Sequence, residues 1–149
     1  MRSLVIRDCL EGTDAKRLIL QTAEQPAPSM NYPRNVVTIH PYFKPHPGKL
    51  DAFKSLLPKF IGRASSEENC IFYEFTINGG TVFCREGYKG AEGALAHLDN
   101  VGDLLDEALK LAELVRLEFH GPAEELDKLR VRCGPLNPDW FVLECGVQR

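Results

Sequence analysis

No apolar stretch of this sequence approaches the length of a membrane-spanning helix, for which about 20 residues are needed. An excess of basic residues is also missing, since the formal net charge is −3 and the pI is about 5.8. A chain of this charge releases few counterions on contact with a polyanion, which argues against nucleic acid as a partner. We therefore expect a water-soluble protein that binds neither a membrane nor a nucleic acid.

The cysteines lack the spacing that a metal site or a disulfide framework requires. They are odd in number, widely scattered and without a CxxC pair, namely Cys9, Cys70, Cys84, Cys133 and Cys145. This pattern predicts reduced thiols in a cytoplasmic compartment. The histidines His40, His46 and His120 are equally dispersed, with no pair at the spacing of helical metal ligands, so no metal site is expected.

Residues 1–34 are predicted to form an N-terminal extension and linker, followed by one folded domain over residues 35–149. Gln25 to Pro33 has three prolines and little apolar content, as is typical of a linker. A short strand over Ser3–Ile6 and a helix over Thr13–Gln21 are expected before it. Acidic residues in this segment argue against a transit peptide, and no long apolar stretch marks a secretory signal.

Alternation of apolar and polar residues predicts five strands, over Asn35–Phe43, Cys70–Ile77, Thr81–Tyr88, Leu114–His120 and Trp140–Val147. Asn78-Gly79 is a strong hairpin signal, because both residues tolerate the positive φ angles of primed turns. With these two as the central turn residues, Tyr73 faces Cys84 and Ile71 faces Glu86.

Periodic apolar residues predict the helices. A helix over Lys49–Ala64 has one apolar face, and Pro58 is expected to kink or break it near Leu57. A helix that starts near Gly90 is expected to be broken in two, because Asp99 or Asn100 can cap a second piece. Gly121-Pro122 opens a short helix over Ala123–Leu129.

The order of these elements predicts the fold class. The series β, α, β, β, α, β, followed by a short helix and a last strand, is the ferredoxin-like split βαβ pattern of the α+β class, with an antiparallel sheet. Two helices on one face of that sheet leave the other face uncovered. A homodimer in which two sheets pack together is the simplest way to bury it.

The stretch from Asn69 to His97 holds the candidate functional residues. With Asn78 and Gly79 as the central turn residues, Tyr73, Glu86 and Tyr88 lie on one side of the sheet, whereas a three-residue loop would flip that register. The following helix brings His97 back over the hairpin. A site for proton transfer is one interpretation. The other is structural, in which His97 is a packed helix residue bonded to a nearby carboxylate and the aromatic residues are core.

The segment from Val36 to Phe119 resembles the antibiotic biosynthesis monooxygenase domain of dimeric α+β barrel proteins. The resemblance rests on the order of a few residues along the chain, namely Pro47-Gly48, Phe53, Tyr73, Phe83, Glu86, Tyr88, Ala94 and His97. It implies a dimeric barrel that oxygenates a small phenolic or quinol compound with dioxygen, without metal, flavin or haem. The implied partners are a small aromatic molecule and a second copy of the chain.

The resemblance also implies roles for individual residues. A base removes a proton from the phenol, the electron-rich anion gives an electron to dioxygen, and the caged radicals combine. His97 is the candidate base, Glu86 would orient it, and Tyr73 or Tyr42 would hydrogen-bond the substrate oxygen. Tyr88 and Phe83 complete the expected substrate-binding set.

Other functions stay open at this stage. The haem-degrading branch of the family is disfavoured by two differences. This chain has His97 at the helix position where that branch has a tryptophan, and it has Asp106, Glu107 and Ala108 where the haem-ligating histidine of that branch would lie. A non-catalytic barrel dimer that binds an apolar ligand is one alternative. An isomerase or decarboxylase that uses His97 and Glu86 for proton transfer is another.

Overall fold

The computed structural model describes residues 34–147. Nearly all of the predicted extension over residues 1–34, with its short strand, helix and linker, therefore lies outside the described residues. The strands are β1 Val36–Pro45, β2 Cys70–Asn78, β3 Thr81–Lys89, β4 Ala112–Gly121 and β5 Asp139–Val142. The helices are α1 Leu50–Lys54, α2 Leu57–Ala64, α3 Gly90–Leu111 and α4 Ala123–Cys133, with a 3-10 turn at Gly134–Leu136.

The strands form one five-stranded sheet in the order β2-β3-β1-β4-β5. The first four pair antiparallel, and β5 pairs parallel to β4 at the edge. This is the predicted ferredoxin-like α+β fold, in which β1 lies between β3 and β4 because each helical crossover returns the chain to the sheet. The sheet is open and does not close on itself.

One face of the sheet carries the core. Val37, Tyr88 and Phe119 are fully or almost fully buried there, in one cluster with Ala91 of α3 and Leu126 of α4. A second buried cluster joins the sheet to α1, α2 and the later turns of α3. Most residues of the opposite face are only partly buried, with Gly87 and Glu118 as buried exceptions, so helices cover a single face, as the element order predicts.

Pro58 breaks the first helical segment as predicted. Two short helices, α1 and α2, replace one long helix, and Pro58 stands in the first turn of α2. Its missing N–H costs nothing there, because the first amides of a helix have no partner within the helix. Phe53 and Phe60 can therefore both face the core.

The predicted break in the next helix is wrong, since α3 runs without interruption from Gly90 to Leu111. The two capping candidates are engaged elsewhere. Asp99 accepts a hydrogen bond from Arg132, and the side chain of Asn100 donates to Glu67. An unbroken stripe of buried residues along α3 holds the helix against the sheet, which overrides the local capping preference.

The predicted hairpin register is also wrong. Asn78 pairs with Thr81, so Gly79 and Gly80 are the central turn residues, and Gly79 has the φ of +58° that a primed turn allows to glycine. Tyr73 consequently lies opposite Glu86 rather than Cys84. The shift is an even number of positions, so the predicted sharing of one face by Tyr73, Glu86 and Tyr88 still holds.

The last strand is shorter than predicted. It covers Asp139–Val142 instead of Trp140–Val147, and the residues after it are exposed. Arg130 of α4 stacks on the ring of Trp140, which in turn stacks on Phe119 and ties the strand to the core. Within residues 34–147, no helix is both long and apolar enough to cross a membrane.

Candidate active site

A cavity lies between the core face of the sheet and the helices. It holds about 620 Å³ of empty space, its open mouth included. Most of its wall is aromatic or aliphatic, with phenylalanine rings from β1, α1, α2, β2 and β4, namely Phe43, Phe53, Phe60, Phe75 and Phe119. A cavity with this lining suits a small, mostly apolar molecule.

The polar residues of the cavity are grouped in one part of its wall. They are Tyr73, Cys84, Glu86 and His97, from two paired strands and from α3. Among residues 34–147, no lysine or arginine lines the cavity, so these residues do not favour a phosphate or a carboxylate of a ligand. A ligand is therefore expected to be uncharged and to carry its polar group at this end.

Local sequence explains how these side chains meet. Alternation in β3 turns Val82, Cys84, Glu86 and Tyr88 to the helical face, and the ladder sets Tyr73 directly opposite Glu86. His97 follows Ala94 by three positions and precedes Val101 by four, so it lies on the buried stripe of α3. The ring centroids of Tyr73 and Tyr88 are each 5.0 Å from that of His97.

His97 is bonded to a carboxyl group on each side. Its Nε2 lies 3.1 Å from Oε2 of Glu86, and its Nδ1 lies 3.0 Å from both carboxylate oxygens of Glu67. Tyr88 donates its hydroxyl proton to Oε2 of Glu86. Glu67 is thus hydrogen-bonded to the imidazole, Tyr88 is hydrogen-bonded to Glu86, and Nε2 of His97 and Oε2 of Glu86 are close enough for a proton to pass between the two pairs.

Burial shifts the pKa of every ionisable group at the polar wall. It raises the pKa of Glu86 from 4.5 to about 8, a shift that the Tyr88 hydrogen bond opposes and the charge of Glu67 reinforces. Burial lowers the pKa of His97, although the carboxylate of Glu67 acts in the opposite direction. Burial likewise raises the pKa of Tyr73, Cys84 and Tyr88, so all three are neutral hydrogen-bonding groups at physiological pH.

These shifts leave an acid and a base in contact. At pH 7 Glu86 is mostly a neutral carboxylic acid, while the imidazole beside it is mostly unprotonated. Groups that titrate near the working pH are the most effective for proton transfer. The arrangement can therefore donate a proton to, or accept one from, an oxygen atom of a bound molecule.

The structure separates the residues that the sequence grouped. Tyr73, Glu86 and His97 line the cavity, and Tyr88 lies behind Glu86. Tyr42 and Phe83 do not line it, because they lie on the opposite face of the sheet, where their ring centroids are 4.7 Å apart. The sheet thus separates both rings from any molecule held in this cavity.

The sequence did not point to two residues that contribute to this site, Glu67 and Asn100, although Asn100 is a candidate helix cap. Glu67 lies in the polar loop before β2, and Asn100 donates to its Oε1 at 2.7 Å. Neither residue belongs to a periodic pattern or a motif that points to the cavity. The signal in the sequence was limited to two carboxylates and one histidine on elements that pack around β3. That packing is visible only in the tertiary structure.

Comparisons with known proteins give solved structures but no family description. No protein-family model matches the chain, and no curated protein matches it. The crystal structure of MupZ from Pseudomonas fluorescens is 43% identical, covers 77% of this chain and 95% of MupZ, and has a TM-score of 0.74.

More distant structures share the fold. A candidate antibiotic biosynthesis monooxygenase from Caulobacter crescentus is 16% identical, covers 59% of this chain and 90% of its own, and has a TM-score of 0.53. A protein of unknown function from Bacteroides thetaiotaomicron, named as a possible oxidoreductase, is 16% identical over 58% of this chain and 96% of its own, with a TM-score of 0.53.

Proposed function

This chain belongs to the same family as MupZ and has an antibiotic biosynthesis monooxygenase-like domain, and on that premise we propose that its cavity is an acid–base active site. The substrate is a small, uncharged and largely apolar molecule with an oxygen group at the polar wall. Oxygenation of a phenolic or quinol compound by dioxygen, without a cofactor, is the reaction that we propose first.

The observation that carries this proposal is the buried contact between Glu86 and His97. Burying a carboxyl group and an imidazole costs stability, and a cavity that only binds apolar molecules needs neither. Here both are less than one-tenth exposed and both border the cavity. This cost favours an enzyme over a simple binding protein.

The geometry supports a division of roles that differs from the sequence-based hypothesis. Both ring nitrogens of His97 are already bonded to carboxyl groups, so Glu86 and the hydroxyl of Tyr73 are the groups best placed to meet a substrate oxygen. Glu86 would exchange the proton with the substrate, and His97 would take it from Glu86 or return it. Tyr73 would stabilise the resulting oxyanion by donating a hydrogen bond.

In the oxygenation, the ionised substrate supplies the electrons. Loss of the phenolic proton leaves an electron-rich anion, which transfers one electron to dioxygen; the substrate radical and the superoxide then combine to form a peroxide at a ring carbon that carries hydrogen. The peroxide takes up a proton and loses water as its O–O bond and the C–H bond at that carbon break, so one oxygen atom stays in a quinone product and the other leaves as water. The apolar wall protects these intermediates from solvent.

The neutral state of Glu86 favours a second candidate, a proton-transfer reaction that needs no oxygen. A carboxylic acid that stays protonated at pH 7 is suited to protonate a carbonyl or ether oxygen while a base removes a proton elsewhere. Isomerisation of an uncharged, apolar substrate is a reaction of this class. Decarboxylation is disfavoured, because its carboxylate substrate would meet no lysine or arginine among the described residues of the cavity wall.

Isotopes separate the two candidates in one experiment. The protein is incubated with uncharged phenols, quinols and enones under ¹⁸O₂ in D₂O, and products are analysed by mass spectrometry. Oxygenation predicts uptake of one ¹⁸O atom and consumption of dioxygen, with no reaction when the quinol hydroxyls are methylated. Carbon-bound deuterium without ¹⁸O would support the second candidate. Ligand-induced thermal stabilisation without any product would contradict both.

We also propose that the open face of the sheet packs against a second copy of the chain. Tyr42, Phe83 and His120 are only half-buried on this face, and Phe141 is 43% exposed. Aromatic patches of this kind are stabilised when an interface covers them. A two-fold axis would place the same patch on both copies.

Light scattering after gel filtration tests this assembly. The native protein is expected at twice its chain mass of 16.7 kDa, and Phe83→Glu is expected at the mass of one chain, because it buries a charge in the interface. Leu109→Glu, an exposed position on α3, is the matched control and should leave the dimer intact. A native protein that elutes as a single chain contradicts the proposal.

A further inference from the structure

We propose that Glu67 is the positioning residue of this site and the outer end of its proton path. It holds the Nδ1 proton of His97, so that Nε2 is the nitrogen that exchanges a proton with Glu86. The inference rests on the proposed function, since a proton path has a use only if the cavity transfers protons.

The bond between Glu67 and His97 determines the tautomer of the ring. Both oxygens of Glu67 lie 3.0 Å from Nδ1. An ionised carboxylate can only accept hydrogen bonds, so Nδ1 must carry a proton. In the neutral ring Nε2 then has a free lone pair, which lies 3.1 Å from Oε2 of Glu86. A carboxylate that orients a working imidazole through its other nitrogen is a recurrent arrangement in proteins.

The three groups form a route from the cavity to solvent. Glu86 borders the cavity, His97 is 2% exposed, and the side chain of Glu67 is 13% exposed and outside the cavity wall. A proton leaves the cavity when the O–H bond of Glu86 breaks and an N–H bond forms at Nε2. The N–H bond at Nδ1 then breaks, an O–H bond forms on Glu67, and this carboxyl group returns the proton to water.

Glu67 is held in place by its surroundings. Its backbone N–H donates to the carbonyl of Ala64, and its own carbonyl accepts from Cys70. The side chain of Asn100 donates to Oε1 at 2.7 Å and to the carbonyl of Arg63 at 3.2 Å. The carboxylate therefore meets the imidazole without reorganisation, as a positioning group must.

Within residues 34–147, the ionisable groups that face His97 come from β2, β3 and the loop before β2. Glu86 and Tyr88 face it from β3, Tyr73 faces it from β2, and Glu67 faces it from the loop before β2. The two tyrosines stay neutral, because burial raises their pKa. Among these groups, Glu67 is therefore the one whose charge favours the imidazolium form of His97.

Nitrogen-15 NMR of the imidazoles tests the inference without any substrate. In the native protein the Nδ1 resonance of His97 should be that of a protonated nitrogen and Nε2 that of an unprotonated one. Glu67→Gln should lower the pKa of His97 by about one unit or more, because an opposite charge in contact is lost. The matched control is Glu68→Gln, which removes the same charge from the neighbouring exposed residue and should change neither resonance.

Turnover provides the second readout. Glu67→Gln should lower kcat by about 10- to 100-fold, the usual effect of removing a group that orients a histidine, with little change in KM. Glu67→Asp keeps the negative charge, so the pKa of His97 should stay closer to its native value than in Glu67→Gln. This variant keeps the test valid if Glu67→Gln does not fold. A native ring protonated at Nε2, or an unchanged titration in Glu67→Gln, overturns the inference.

The two proposals fail in different ways. If no candidate substrate reacts but the NMR results are as expected, the proposed function fails, and Glu67 still sets the tautomer of His97. If turnover requires Glu86 but the pKa of His97 does not change in Glu67→Gln, the proposed function stands, and the proposed role of Glu67 is wrong.

Discussion

Replacing Glu86 with glutamine is expected to lower kcat/KM by about 10²- to 10⁴-fold, the usual contribution of a general acid or base. Glutamine has nearly the same shape and preserves an oxygen that can accept the hydrogen bond of Tyr88, but its amide cannot exchange a proton at neutral pH. The loss should therefore appear in turnover while the fold is retained. Steady-state kinetics with a substrate identified by the isotope experiment would measure it.

The matched control is Glu74→Gln. Glu74 lies on the neighbouring strand, but its side chain is exposed and bonds Arg85 away from the cavity. Its replacement should leave kcat/KM within about two-fold of the native value, as is usual for surface changes of up to about 0.5 kcal/mol. If Glu86→Gln were as active as this control, Glu86 would not be the proton-transfer group.

His97→Ala tests the second half of the pair. It removes the acceptor that Glu86 contacts and leaves space beside Tyr73 and Tyr88. We expect a loss of activity comparable to that of Glu86→Gln, and no further loss in the double variant, because residues that act as one unit are not additive. Unchanged turnover in His97→Ala would contradict a role for the imidazole.

The free energy of unfolding is expected to fall as the pH rises from about 5 to about 8. Folding raises the pKa of Glu86 from 4.5 to about 8, so in this range the folded protein binds a proton that the unfolded chain has lost. Stability from this group is complete below pH 4.5 and is lost as the pH rises through about 8. At about 1.4 kcal/mol for each pKa unit, the change is on the order of 5 kcal/mol.

His97 opposes this trend on the acidic side. Folding lowers its pKa below 6.5, so its contribution is complete above pH 6.5 and is lost as the pH falls through its folded pKa. Glu86 therefore has the clearest effect between pH 6.5 and about 8.

Urea unfolding at several pH values, with the chain concentration held constant, measures how steeply the free energy of unfolding changes with pH. Glu86→Gln should remove most of the decline in that window, since the amide does not titrate, whereas Glu74→Gln should retain it. A native protein whose stability is constant from pH 6.5 to 8 would show that Glu86 ionises at the same pH in the folded and unfolded states, which contradicts its assignment as a buried neutral acid.

Much of the fold followed from local rules. Alternation located all five strands, although the last was placed too far along the chain, and Pro58 broke the first helical segment as expected. The continuity of α3 was missed because capping preference is worth only about 1 kcal/mol, less than the packing of a buried stripe against a sheet. The turn register was missed because Asn78-Gly79 and Gly79-Gly80 are both acceptable turn pairs.

The substrate-binding role of Tyr42 and Phe83 stays a prediction, and neither residue lines this cavity, for a simple geometric reason. Each lies at the wrong parity on its strand, since Ile39 and Glu86 face the helices and residues an odd number of positions away face the other side. The sequence already contained this information for Phe83, three residues before Glu86. The family resemblance grouped both rings with the site, but strand geometry separates them from it.

The sequence by itself determined that Glu86 and Tyr88 share one face of their strand, because side chains alternate with a period of two whatever the rest of the chain does. Tyr73 joins them through the hairpin register, and the predicted register differed from the observed one by an even number of positions. Only the tertiary structure decided that His97 lies between two carboxyl groups, since Glu67 is 30 residues away and is brought there by the packing of α3 against the loop before β2. It also decided which of these groups titrate near neutral pH. A pKa depends on how completely distant elements exclude water from a side chain, and no local pattern encodes that exclusion.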